Sequence, residues 1–142
     1  MQVVADTNTV VSGLLWHGAP RQVLDAARAG IIELFTSAVL LVELEDVLQR
    51  KKFAQRLALA GLTPRKLVSG YAALATLIEP ATISSVVIAD PDDDAVLACA
   101  VAARAEVIVS GDSHLQNLKN YQGISILTAA ELVMRISTSS PN

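Results

Sequence analysis

The chain has 142 residues, 52% apolar and 4% aromatic, which fits one domain whose core is built from Ala, Val and Leu, as in a helix-rich α/β protein. Eleven Lys and Arg against fourteen Asp and Glu leave a net charge of −3, which counts against a tight, nonspecific DNA-binding surface. One cysteine, Cys99, excludes a disulfide framework within the chain and reads as a buried, inert thiol; apolar runs too short for a bilayer and a start that enters a strand without a charged leader read as a soluble cytoplasmic protein without a membrane partner.

In chain order, Gln2 to Ala5 reads as a strand and Asp6-Thr7-Asn8-Thr9 as a polar turn after it. Pro20 opens a helix through about Ala29, stopped by Gly30, and Ile31 to Phe35 is a short strand. Ser37 caps a helix to about Arg50, with Leu40, Leu44, Val47 and Leu48 as its apolar stripe. Phe53 to Ala60 makes a short helix ended by Gly61. Thr63 and Pro64 then start another through about Leu77. Val86 to Ala89 is an apolar run ending on Asp90-Pro91-Asp92-Asp93-Asp94, and Asp90-Pro91 opens a helix through about Arg104. Val107 to Val109 reads as a strand entering Ser110-Gly111-Asp112, where Asp112 is placed to cap Ser113 to Leu118. Ile124 to Leu127 is the last strand. Thr128 caps a final helix to about Ile136, which closes a single domain over residues 1–136, and residues 137–142 form a polar tail.

Strands alternating with helices predict a parallel sheet covered on both faces. The stretch from Arg50 to Leu77 is the exception, with two helices and no strand between them, expected beside the sheet as a wall or a dimer surface.

The acids carry the functional signal. In open parallel sheets ligands bind outside the carboxyl ends of the strands. Asp6 and Asp112 lie there, and the Asp90 to Asp94 cluster follows a third apolar run. Each has a plainer reading as a helix cap. Four aspartates in five positions nevertheless exceed what capping needs. Within that cluster Asp93 shares a helix face with Val96, Leu97 and Ala100, while Asp94 points about 100° away. Glu43 sits at the margin of its helix's apolar stripe, where a snorkelling boundary glutamate is the plainer reading. Converging carboxylates repel one another, and hard oxygen ligands of this kind suit Mg²⁺ or Mn²⁺.

Val4-Ala5-Asp6-Thr7-Asn8 with Val11-Ser12, Ser37 with Glu43-Leu44, Asp90-Pro91-Asp92-Asp93 with Leu97 to Ala100, and Val107 to Asp112 with Leu115 together resemble the four motifs of PIN-domain nucleases, in family order. The nearest likeness is to the VapC-like toxins of toxin–antitoxin pairs. The resemblance implies a three-layer α/β/α fold with a central parallel sheet and a Mg²⁺- or Mn²⁺-dependent endoribonuclease activity. It implies Asp6, Glu43, Asp93 and Asp112 as catalytic acids and metal ligands, with Asn8 and Ser110 as flanking polar positions. Asp90 and Asp94 are accessory candidates, Asp94 being the second choice for the third acid. It further implies an RNA substrate, an antitoxin protein as partner and a homodimer. The alternative is a PIN-fold RNA-binding or scaffold protein with little nuclease activity. A haloacid-dehalogenase-like phosphatase needs an aspartate where Asn8 stands, and a receiver domain needs a lysine after a late strand, where Ser110, Gly111 and Asp112 stand.

An acidic chain needs local cations to meet RNA. Arg50-Lys51-Lys52, Arg56 and Arg65-Lys66 either flank the substrate or form a solvated charged face. Base-stacking platforms are limited to Trp16, Phe35, Phe53, Tyr71 and Tyr121, so specificity is expected to rest on RNA shape. His17 and His114 are expected to stand outside this chemistry.

Overall fold

The computed structural model describes residues 1–83 and 91–139. The strand expected over Val86–Ala89 and the accessory acid Asp90 lie outside the described residues. In chain order the elements are β1 (Gln2–Ala5), α1 (Thr7–Leu15), α2 (Ala19–Arg28), β2 (Glu33–Thr36), α3 (Ala38–Leu48), a 3₁₀ turn (Lys51–Phe53), α4 (Ala54–Ala60), α5 (Pro64–Leu74), β3 (Thr76–Leu77), α6 (Pro91–Ala103), β4 (Val107–Val109), α7 (Ser113–Leu118), β5 (Asn120–Tyr121), β6 (Ile124–Leu127) and α8 (Ala129–Ser139).

Among the described residues six strands form one sheet in the order β3-β2-β1-β4-β6-β5. All neighbours run parallel except the short β5, which pairs antiparallel with β6. The chain moves outward from β1 to β2 and β3, then returns to place β4 on the other side of β1. The strand order therefore reverses between β1 and β4, and that is where open α/β sheets bind ligands.

Alternation along the central strands divides the core in two. Val3 and Ala5 of β1, with Val107 and Val109 of β4, face a cluster with Val10, Val11 and Leu15 of α1, Val23 and Leu24 of α2, and Leu132 of α8. Val4 and Ile108 face the opposite cluster, with Val96, Leu97 and Ala100 of α6 and Leu115 of α7. This period-two pattern makes the sheet a layer between two helical layers. Helix α3 reaches both clusters, through Leu40 on one side and Leu44, Val47 and Leu48 on the other. Among the described residues no helix is long and apolar enough to cross a membrane.

Besides the edge strand β5, which carries no signal in the sequence, three elements differ from expectation. Asp6-Thr7-Asn8-Thr9 is not a turn: Asp6 caps α1 directly, its Oδ1 accepting from Thr9 N at 2.9 Å. Val10, Val11 and Gly13 make α1 a weak helix by propensity, and burial of Val10, Val11 and Leu15 overrides that weakness. Gly13 has a steric reason: a Cβ there would stand 2.8 Å from both Pro20 O and Leu24 Cδ1 of α2. Second, α5 ends at Leu74 rather than Leu77. Ala75 turns extended, and Thr76 and Leu77 pair with Phe35 and Thr36 as an edge strand. Third, α8 runs to Ser139, past Ile136. Its start is a capping box in which Thr128 N donates to Glu131 Oε1 at 2.9 Å and Glu131 N donates to Thr128 Oγ1 at 3.1 Å.

Candidate metal centre

Among the described residues the buried polar side chains are Asp6, Thr7, Thr9, Thr36, Ser37, Asp93 and Ser110. Each lies at the carboxyl end of a strand, just beyond it, or in the first turn of a helix. Polar groups are costly to bury without partners, so their concentration at one edge marks a built site rather than accidental burial.

Asp6 follows β1, and its backbone N–H donates to Val109 O at 3.0 Å, which ties it to the end of β4. Its Oδ2 accepts from the fully buried Ser110 Oγ at 2.5 Å. The same Ser110 Oγ accepts from Asp112 N at 3.0 Å. Gln116 Nε2 donates to Ser110 O at 2.6 Å, and Ser110 N donates to Leu127 O at 2.9 Å. Ser110 thus links the acid after β1 to the acid after β4, across the switch point. Asp112 in turn caps α7, its Oδ1 accepting from His114 N at 2.8 Å and Leu115 N at 3.2 Å. Capping therefore excludes neither Asp6 nor Asp112 from a candidate site: in each, the helix amides take up Oδ1 alone.

A cavity of about 40 Å³ lies at this edge, lined by the carboxylates of Asp6, Glu43, Asp93 and Asp112, with Thr7, Asn8 and Val96 completing its wall. Glu43 comes from α3, between its two core-facing stripes, and Asp93 from the third position of α6. Asp93 is 6% exposed. Asp94 is partly exposed and does not line the cavity. Asn8 is exposed at its rim, and His17 and His114 are exposed and line no part of it. Thr7 and Val96 carried no functional signal of their own in the sequence, since a threonine at a helix start and a valine in an apolar run are ordinary. Larger clefts exist, such as one of about 360 Å³ between α2 and α8, whose described lining carries a single acid, Asp25. Convergence of charge, not size, distinguishes the small one.

The donor set fits a hard divalent cation. All four candidate ligands are carboxylates, and Glu43 Oε2 and Asp93 Oδ2 are buried from solvent. Negative oxygens held together away from water repel, and a cation offsets that cost. The volume exceeds what one water needs, so it suits a small ion with some of its hydration shell rather than an organic cofactor. Among the described residues no three His, Cys, Asp or Glu side chains form a tight preformed cage. That is compatible with Mg²⁺, which usually keeps several waters and takes only one or two carboxylates directly.

Tyr71 of α5, a sequence candidate for base stacking, is buried instead, and its hydroxyl has no hydrogen-bond partner among the described residues. Burial foremost, then the neighbouring Cys99 and the Asp6 carboxylate, raises its pKa well above the ordinary tyrosine value. Burial alone pushes the Cys99 thiol up to about 12. Both groups stay protonated at neutral pH, and the inert-thiol expectation for Cys99 has its physical cause in that burial.

The sequence profile of the PIN domain matches residues 2–114. A search of curated proteins returned no match. Among solved structures, the fold is similar to "VapBC2 from Rickettsia felis bound to a DNA fragment from their promoter", at 15% identity and a TM-score of 0.57, covering 89% of this chain and 97% of that one. It is also similar to the T. brucei RRP44 PIN domain, at 17% identity and a TM-score of 0.49, covering 96% of this chain and 81% of that one.

Proposed function

This chain belongs to the PIN-domain family, and from that premise we propose that it is a metal-dependent endoribonuclease that hydrolyses RNA phosphodiester bonds as the toxin of a toxin–antitoxin pair. The observation that carries the reading is the convergence of Asp6, Glu43, Asp93 and Asp112 on one cavity at the switch point of the sheet. Asp6, Asp93 and Asp112 are the main candidates to hold Mg²⁺ or Mn²⁺, and Glu43 completes the carboxylate ring. A divalent ion bound there lowers the pKa of water and neutralises charge developing on the phosphate and the leaving oxygen.

The chain's own residues prepare that site. Ser110 fixes the rotamer of Asp6 through Oδ2 while Thr9 N fixes Oδ1, so Asp6 is held from both sides. Asp112 is held by the amides of α7 through one oxygen. Glu43 and Asp93 are carried on α3 and α6, and both helices are anchored by buried leucines, Leu44 and Leu97. Rigid placement of this kind is what a metal site requires of its ligands.

The test is cleavage of a mixed structured and single-stranded RNA pool with Mg²⁺, with Mn²⁺ and with EDTA, run beside Asp6→Asn and Asp93→Asn. Metal-dependent cleavage falling by at least about 100-fold in both variants is expected. Cleavage that survives the chelator or both substitutions overturns the reading. The toxin role adds an antitoxin protein as partner: expression of the chain alone should arrest growth, and Asp6→Asn should relieve the arrest. We also take the active species to be a homodimer; a light-scattering mass equal to one chain counts against that.

A further inference from the structure

The chain is acidic as a whole, yet its charges are segregated. Between Asp46 and Glu79 the sequence carries Arg50, Lys51, Lys52, Arg56, Arg65 and Lys66 and no acid. That arm is formally +6 and the remainder −9.

Folding sets part of the arm against the far end of α1. Arg56 donates to Leu15 O through Nε at 2.9 Å and through Nη2. Its guanidinium lies over the Trp16 ring, 5.5 Å from the centroid. Phe53 is tilted against the same indole at 5.9 Å, and the Lys52 ammonium lies 5.1 Å from the Phe53 centroid. From α2, Arg21 donates to Gly13 O through Nε at 2.6 Å and to Leu14 O through Nη2 at 3.1 Å.

The plain role of these arginines is to satisfy the last carbonyls of α1. That role does not exhaust them. Each guanidinium has five N–H donors, and these bonds leave Nη1 of each unused. Among the described residues neither arginine pairs with a carboxylate. Both line one open cleft of about 320 Å³ whose other walls include Leu14, Leu15 and Leu62 and no acid. Two forked cations with spare donors beside an acid-free cleft match a phosphodiester.

Trp16 supplies the second observation. It is 41% exposed, the most open of the chain's five aromatic residues; the others are partly or fully buried. An exposed indole backed by an arginine is a stacking surface for a base. The same helix joins this place to the carboxylate cavity. Asn8 and Ser12, four residues apart, share one side of α1, and Trp16 follows them as the extended C-cap, its backbone N–H donating to Ser12 O at 3.0 Å. Asn8 lines the cavity, Ser12 is partly exposed, and Trp16 ends the row. The row spans about 12 Å at 1.5 Å per residue, or about three to four nucleotides at 3.4 Å per stacked step.

We propose that this side of α1 is the track for the single-stranded RNA flanking the scissile bond, with a base stacked on Trp16 and a phosphate held between Arg21 and Arg56. The inference rests on the nuclease reading but is tested apart from it. Fluorescence anisotropy of a labelled single-stranded oligouridylate, in EDTA, reads binding with no metal-dependent cleavage. Trp16→Ala should weaken binding about tenfold, and Trp16→Phe should retain most of it. Arg56→Gln should weaken binding and reduce the slope of log affinity against log salt by about 0.7. Ser12→Glu, which places a negative charge midway along the track, should weaken binding without touching the aromatic stack. Thermal unfolding of each variant checks that it is folded. If the parent binds no oligouridylate at low salt, or if Trp16→Ala or Ser12→Glu binds like the parent, the track is overturned, whatever the cleavage assay shows. If binding depends on Trp16 while metal-dependent cleavage is absent, the track stands and the nuclease reading falls.

Discussion

The carboxylate edge and the basic arm are built in opposite ways. The edge gathers Asp6, Glu43, Asp93 and Asp112 from positions spread over more than a hundred residues, and it holds them half-buried or buried by parallel strands and anchored helices. The arm takes its six cations from one acid-free stretch and leaves them at the surface; beyond the end of α3, only Phe53, Leu57 and Tyr71 of its side chains are buried in the core. Concentrated negative charge is expensive and needs a scaffold; solvated positive charge needs only a surface to stand on. If the proposed function holds, the first region does chemistry and the second guides an anionic strand toward it.

Equal truncations in the two regions should therefore have unequal costs. Leu97, fully buried one turn beyond Asp93, should lose about 2–5 kcal/mol on substitution by alanine. Leu59 of the arm is 81% exposed, and Leu59→Ala should stay within about 0.5 kcal/mol of the parent. Denaturant melts of the two proteins measure both, and a Leu59→Ala cost matching that of Leu97→Ala would break the contrast.

Ser110→Ala probes the edge more gently. It removes the hydroxyl that donates to Asp6 Oδ2 and accepts from Asp112 N, without removing a candidate ligand. Mn²⁺ affinity by calorimetry should fall by about 10- to 100-fold, the usual cost of losing a partner that orients a ligand. Unchanged affinity would mean that the strand ends alone position the two aspartates.

The smallest effect lies outside both regions, in the capping box of α8. Hydrogen bonds from Thr128, backbone first, lower the Glu131 pKa from its ordinary 4.5. A carboxylate with a lowered folded pKa contributes stability above its unfolded value and loses it as pH falls through the folded one. The difference in melting temperature between the parent and Glu131→Gln should thus be present at neutral pH and be lost as pH falls below the ordinary glutamate value and through the lowered folded one. A difference that persists in acid would show that charge is not what the box uses.

Parallel β/α alternation was readable because buried strands and capped helices leave local marks. Val3-Val4-Ala5, Val107-Ile108-Val109, Ser37, Thr63-Pro64 and Thr128 each announce an element within a few residues. Helix α1 and strand β3 were not readable. Val10, Val11 and Gly13 favour no helix until α2 packs against them, and Thr76-Leu77 is a strand only because Phe35 and Thr36 offer backbone partners.

The acids themselves, their order along the chain and the positive sign of the arm are properties of the sequence alone, since charge and spacing need no folding to exist. The sequence also singled out Asp93 over Asp94 by helical phase, and the structure places Asp93 at the cavity wall. What only the tertiary structure decided is which groups meet. Ser110 bridges Asp6 and Asp112 because β1 and β4 are neighbours, and Arg21 and Arg56 share a cleft because α2 and the arm close on the same end of α1. Contacts between residues far apart in sequence depend on strand order and helix packing, and no local pattern in the chain encodes them.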